Sequence, residues 1–344
     1  MVRSSNKSSQ TISIKDVAKR CGVSITTVSR VINKVPTVKD ENRRKVLKAV
    51  KELDFHPSVL AQRLATGHSN VVALVIPRYE GIFYSFYALE LIRGIGALCE
   101  AFKLDLLLHL TSGGTPLNIK GVGGFIFADI IGNRRQLEDA FNSKLPVVVI
   151  NNYIDDMDVN CIAVDNEGGA EKAVDYLINL GHRKIAHITG DLATQAASLR
   201  YNGYKDALRK NGLPLNEEYV FQTDYSRGRA REAAERLMAL AEPVSAVFVA
   251  SDSMALEVMA VVRERGGKIP DDLSIVGFDD NPSGLYGPVA LTTIKQPLIQ
   301  MAQESIKELN SLMSSREPMP AKKIFLPTEL IIRESCRPLS VQLQ

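Results

Sequence analysis

Residues 14–33 read IKDVAKRCGVSITTVSRVIN, and the spacing of apolar residues in this stretch decides how the first domain folds. Ile14, Val17, Ala18 and Cys21 recur at three- and four-residue intervals, which predicts a helix with one apolar stripe. Gly22 breaks that helix. Ser24 then stands where an N-cap belongs, its hydroxyl placed to accept from free N–H groups of a second helix. Val28 and Val31 turn that helix's apolar face inward and leave Ile25, Thr26, Thr27 and Arg30 outward, with Asn33 at its end. Two short helices joined by a tight glycine turn make a helix-turn-helix, whose second helix enters the major groove of DNA. Small residues near its start permit close approach to base edges, and Arg30 reaches a phosphate or a guanine edge. A third helix, roughly 40–53, is expected to pack through Val46, Leu47, Val50 and Leu53.

Charge supports this reading from outside the motif. The 344 residues carry a net charge of +3, but residues 1–67 hold 14 Lys/Arg against 5 Asp/Glu, and the remainder 28 against 34. A basic head on an acidic body is the footprint of a nucleic-acid-binding arm; a merely solvated basic face is the competing reading. The length suits two or three domains. No apolar run approaches the roughly 20 residues of a membrane helix. The start, MVRSSNKSSQTIS, lacks the apolar region of a signal peptide and reads as a disordered polar tail over 1–10, so a cytoplasmic location is expected. Cys21, Cys99, Cys161 and Cys336 are too scattered for a zinc site or a disulfide framework, and no metal is expected. Five histidines and the absence of G-x-S-x-G, H-E-x-x-H or Walker-A patterns argue against catalysis.

From residue 70 onward short β-branched runs alternate with longer helical stretches. VVALVI (71–76), LDLLLHL (104–110), GGFIF (123–127) and PVVVI (146–150) are followed by KIAHIT (184–189), AVFVA (246–250) and SIVGF (274–278). Such alternation predicts parallel sheets with helices on both faces, and about ten strands are too many for one small sheet. The α/β reading is therefore two Rossmann-like lobes, with ligands bound outside the carboxyl ends of the strands.

The run DVAKRCGVSITTVSRVIN closely resembles the headpiece of the lactose-repressor family (LacI/GalR type) of bacterial regulators. FHPSVLAQRLATG at 55–67 looks like that family's hinge, which folds on DNA and pushes a leucine into the minor groove. The matching residues are Ala61 and Leu64; an ordinary linker leucine is the plainer reading of Leu64. Ser58 stands where relatives often have Asn, and Lys39 where they often have a Ser cap. The resemblance continues through VDNEGGAEKAVDYLINLGHRKIAHITG (164–190), LRYNGYKDAL (199–208), SDSMALEVM (251–259), IPDDLSIVGFDDNP (269–282) and LTTIKQP (291–297). It implies a helix-turn-helix domain over 11–56, a hinge over 57–69, and a periplasmic-binding-protein-like core over 70–344. The core's first lobe takes about 70–161 and 292–320, its second about 162–291 and 321–334, with crossings near 162, 291 and 321.

The resemblance also implies a pocket. Arg200 matches the family's pocket arginine, and its fork of donors suits hydroxyls or a carboxylate. Asp279 ends a strand, Asp252 sits in the equivalent place, and Tyr225 matches an aromatic that packs on the ligand. Asn151, Thr194 and Gln296 match further lining positions. Asp252 also reads as a helix cap, Asp280 as a turn former and Tyr225 as a rim aromatic. The segment 77–95 is longer than the family's usual one, which adds Tyr79, Phe83 and Tyr84, and SGGTPLNIKGVGG has lost most of a helix. No cofactor is implied. The expected partners are a near-palindromic duplex DNA, a second copy of the chain and a small effector, most simply a carbohydrate that releases a repressor from its operator. A co-repressed regulator sensing a nucleobase is the alternative, and a sugar-transport component a remote one.

Overall fold

The computed structural model describes residues 12–33, 35–55, 69–78, 82–315 and 317–339. The tail 1–10, the hinge residues Ala61 and Leu64, and Tyr79 lie outside the described residues. The chain divides into two units, Met1–Asn70 and Val71–Gln344.

In the first unit, α1 (Ile14–Cys21), α2 (Ile25–Ile32) and α3 (Asp40–Glu52) enclose Val17, Ala18, Val28, Val31, Val46, Ala49 and Phe55. Ser13 donates through its N–H and its hydroxyl to the Asp16 carboxylate (2.8 and 2.6 Å), which fixes the start of α1. Gly22 ends it at φ +68°, where its N–H reaches the Ala18 carbonyl. Leu47 departs from expectation and is 54% exposed. Val46, Ala49, Val50 and Leu53 keep the i, i+3, i+4, i+7 spacing of one face; Leu47 sits a hundred degrees round from Val46.

The second unit holds two six-stranded sheets. The first lobe contains β1 (Val71–Pro77), α4 (Phe86–Phe102), β2 (Asp105–Thr111), β3 (Gly124–Ala128), α5 (Arg134–Asn142), β4 (Val147–Ile150) and β5 (Asn160–Val164). The second contains α6 (Asn166–Asn179), β6 (Ile185–Ile188), α7 (Gln195–Lys210), β7 (Val220–Phe221), α8 (Arg227–Met238), β8 (Ala246–Val249), α9 (Asp252–Glu264), β9 (Ser274–Asp279) and β10 (Thr292–Lys295). Then α10 (Leu298–Ser314) and β11 (Lys323–Leu326) return to the first lobe, and β12 (Glu329–Ile331) to the second. The sheet orders are β11-β5-β4-β3-β1-β2 and β12-β10-β9-β8-β6-β7. All pairs are parallel except β10–β12.

The lobe boundaries fall slightly later than the sequence suggested. β5 runs parallel to β4, with Ile150 opposite Ile162, so the first crossing follows Val164. β10 pairs with β9 in the second lobe and β11 with β5 in the first, which moves the other crossings beyond Lys295 and Leu326. A strand stays with its hydrogen-bonded neighbour to its end, and the chain changes lobes only where the ladder stops.

Helices cover both faces of each sheet, with one gap. On the first sheet, α4 and α10 pack at Gly94, where a Cβ would stand 2.5 Å from that of Ala302. On its other face α5 contributes Leu137 and Ala140, but residues 112–123 form no helix; Leu117 and Val122 pack there instead. Leu107 on β2 is left 46% exposed. Among the described residues no helix is long and apolar enough to cross a membrane.

Candidate nucleic-acid interface and ligand cleft

The start of α2 is held by local polar contacts. The Ser24 hydroxyl accepts from the Thr27 N–H at 3.1 Å and lies 2.9 Å from the Thr27 hydroxyl. With Val28 and Val31 buried, the remaining face carries Ile25 (44% exposed), Thr26 and Arg30, with Asn33 exposed at the C-cap. A short helix that buries two valines and presents a compact polar-apolar surface, with an arginine a turn further on, has the form of a recognition helix. The structure thus keeps Ser24, Ile25, Thr26, Thr27, Arg30 and Asn33 on one accessible element.

In the second unit the polar residues gather at the carboxyl ends of the strands. Asp129 follows β3, Asn151 follows β4, Asp279 ends β9 and Gln296 follows β10. Five residues here have positive φ: Asp129 (64°), Asn151 (63°), Tyr225 (67°), Asp279 (135°) and Asp280 (59°). Non-glycine residues adopt this region at a cost, and such strain collects at binding sites.

Each lobe supplies a carboxylate held by an amide. In the first, Asn151 Nδ2 donates to Asp129 Oδ1 at 2.9 Å; in the second, Gln296 Nε2 donates to Asp279 Oδ1 at 2.6 Å. The carboxylate fixes which way each amide points, because turning it would set oxygen against oxygen. The other amide oxygens, Asn151 Oδ1 and Gln296 Oε1, are buried without a partner among the described residues. Burial pushes the Asp129 carboxyl up to about 6, opposed by Asn151, Tyr87 and the Arg200 guanidinium. Burial likewise raises Asp279, again against Arg200 and Gln296.

Arg200 on α7 is 4% exposed. Its Nε donates to Asn166 Oδ1 (2.8 Å), its Nη1 to the Ala250 carbonyl (2.6 Å), and its plane lies over the Phe278 ring at 3.8 Å. Tyr225 lies against Gly190, where a Cβ would stand 2.0 Å from the ring. Burial raises its phenol, while Arg200 and the Thr194 hydroxyl act the other way. Thr194 itself caps α7 by accepting from the Ala197 N–H at 3.3 Å.

Two of the expected lining residues have other surroundings. Asp252 is a strut of the second lobe: Oδ1 accepts from the Thr293 hydroxyl (2.6 Å) and Oδ2 from the Asn281 N–H (2.7 Å). Burial, reinforced by the Asp279 charge, raises its carboxyl, and the helix cap is the neighbouring Ser251. Phe83 is 59% exposed on the turn before α4, and Tyr84 is 93% exposed. The aromatic of this segment that reaches Asp129 is Tyr87, one turn further on. Neither Asp129 nor Tyr87 was singled out from sequence, although Asp129 directly follows its strand much as Asp279 closes β9.

The lobes also touch at the cleft mouth. The Tyr153 N–H donates to Gln195 Oε1 (2.6 Å) and Gln195 Nε2 to the Tyr153 carbonyl (3.1 Å). Beside this clasp lies a recess of about 350 Å³ lined by Ile130, Asn152, Tyr153, Leu192, Thr194 and Leu199. A recess of about 370 Å³ on the outer surface near Glu167, Lys205 and Arg209 lies elsewhere, among charges that pair with each other, such as Arg209 with Asp206. Among the described residues no group of three or more His, Cys, Asp or Glu is placed to hold a metal ion.

Comparison with known proteins agrees with both halves. Residues 13–58 match the family of bacterial regulatory proteins, lacI family, and residues 174–336 a periplasmic binding protein-like domain. The probable HTH-type transcriptional repressor ExuR of Bacillus subtilis is 33% identical over 341 residues, 96% of this chain and 99% of that protein. The chain belongs to the lacI family. As a member it is a sequence-specific DNA-binding transcriptional regulator and not an enzyme. The solved structure of the CelR–cellobiose complex is 27% identical over 94% of this chain and 99% of that one, with a TM-score of 0.71. A lac repressor dimer bound to operator and the anti-inducer ONPF shares the fold, with a TM-score of 0.79 at 24% identity over 95% of this chain and 100% of that one.

Proposed function

We propose that this lacI-family member is a repressor that binds a near-palindromic operator as a homodimer and is released by a sugar or sugar derivative held between its lobes. The observation that carries this reading is the set of polar groups contributed by both lobes: Asp129 and Asn151 from the first, Arg200, Asp279 and Gln296 from the second. A ligand that bonds to both sets favours one lobe arrangement, which is how a small molecule biases a two-state protein. Tyr225 and Thr194 complete the wall. That a relative is solved as a complex with cellobiose supports a carbohydrate as the ligand.

On the DNA side, α2 reads base edges through Ile25, Thr26, Thr27 and Arg30, with Ser24 and Asn33 at its ends. Ala61 and Leu64 act at the hinge, where an apolar wedge works most cheaply at a flexible base step. One recognition helix reads half a site, so a two-fold dimer follows. The test is selection of duplexes by the full-length protein from a random pool. Enrichment of a two-fold symmetric sequence whose affinity falls with an added sugar supports the reading; enrichment of an asymmetric site, or of none, contradicts it.

A further inference from the structure

We infer that the cleft ligand is a hydrogen-bond donor without negative charge, a neutral or amine-bearing polyhydroxylated molecule, and that Asp129 selects it. This deepens the proposed function and rests on the cleft being the ligand site. The first observation is the pair of orphaned acceptors. Asn151 and Gln296 are 7% and 6% exposed, each amide nitrogen is occupied by a carboxylate, and each amide oxygen is left without a donor among the described residues. A buried acceptor without a donor is costly, so an occupant that brings O–H or N–H groups relieves two such costs at once. An occupant that brings only acceptors relieves neither.

The second observation is charge. Asp129 and Asp279 set two carboxylates against the Arg200 guanidinium, whose charge acts on both. Two of that guanidinium's five N–H groups go to Asn166 and the Ala250 carbonyl and its face lies on Phe278, so it keeps donors for a ligand while its single charge is shared between two carboxylates. Arg333 pairs with Asp280, and the Asp252 oxygens are filled by Thr293 and Asn281. With Asp252 kept protonated by burial beside the Asp279 charge, these groups leave the cleft with one surplus negative charge at neutral pH. A uronate or a sugar phosphate adds a like charge in a dry site, where repulsion is strong. A hydroxyl donates to Asp129 without penalty, and an ammonium offsets the surplus. Asp129 holds this preference in the first lobe as Asp279 does in the second.

The test is thermal unfolding of the full-length protein at neutral pH with matched sugars. Each pentose or hexose skeleton is offered as the neutral sugar, the 2-amino-2-deoxy sugar and the uronate. The expected result is a rise in Tm with the neutral or amino form of at least one skeleton and none with its uronate. A larger shift with the neutral form identifies a polyol, and with the amino form a cation. In Asp129→Asn that skeleton's Kd rises by roughly tenfold or more, the size of one charge-assisted hydrogen bond. Asp279→Asn gives the same loss and serves if the first variant does not fold. A uronate that stabilises the protein more than its neutral and amino counterparts overturns the donor assignment and leaves the cleft as the ligand site. No shift with any form of any skeleton overturns both.

Discussion

Lys39 stands at the N-cap of α3 with an extended backbone and makes no side-chain cap. The first N–H groups of that helix therefore lack the partner that Ser24 gives to α2. Lys39→Ser is expected to stabilise the headpiece by about 0.5–1 kcal/mol, read as slower amide exchange across α3 in the full-length protein. An unchanged exchange rate would show that the cap has no effect. Asp129 supports a second prediction at this scale. Burial raises its carboxyl to about 6, against Asn151, Tyr87 and Arg200. The folded protein therefore holds the proton more tightly than the unfolded chain, and ionisation costs stability as pH rises through about 6. A ligand that donates to the carboxylate favours the ionised form, so its affinity should fall as pH drops from neutrality through 6. Calorimetric titration above and below that pH tests the sign; tighter binding in acid would contradict it.

At the scale of elements, the Gln195 clasp joins the start of α7 to the segment after β4. Gln195→Ala removes two hydrogen bonds that exist only when the lobes are near each other. At about 0.5–1.5 kcal/mol each, their loss should weaken ligand binding several-fold. Ligand affinity of the variant is the readout, and wild-type affinity would make the clasp incidental. The elements also show what was legible in the sequence. The head was almost fully legible, because Gly22, Ser24 and the valine spacing are local signals. Leu47 was misplaced because a heptad-like run of apolar residues is wider than the face three short helices need. The strands were legible from β-branched runs, and the missing helix at 112–123 from the departure of that stretch from the family's pattern. The lobe crossings were not, because which sheet β10 and β11 join is settled by pairing between distant segments. In the cleft, Arg200, Asp279, Asn151, Gln296, Tyr225 and Thr194 were reached through motif resemblance. Asp129 and Tyr87 were missed because their importance lies in contact across the fold: Asp129 with Asn151, twenty-two residues on, and Tyr87 with Asp129.

At the scale of the molecule, two units of opposite charge divide the work. The basic head supplies sequence-independent attraction to phosphates as well as base contacts, and the acidic core does not compete for the same surface. On the proposed reading, specificity has a second source at the hinge. Leu64→Ala is expected to weaken binding to the selected operator much more than to random duplex, because a wedge contributes only where the duplex kinks. Equal losses on both, measured at one salt concentration, would remove the hinge from the account. The central claim is linkage: the ligand that fills the cleft changes the affinity for DNA. Coupling of this kind typically spans ~1–3 kcal/mol, or ~5–150-fold in affinity. The most direct measurement is operator affinity of the full-length protein by fluorescence anisotropy, with a cleft-binding sugar raised from zero to saturation. A saturating loss of affinity within that range, reduced in Asp279→Asn, is the predicted result. An operator affinity unchanged at ligand concentrations that fill the cleft would contradict it.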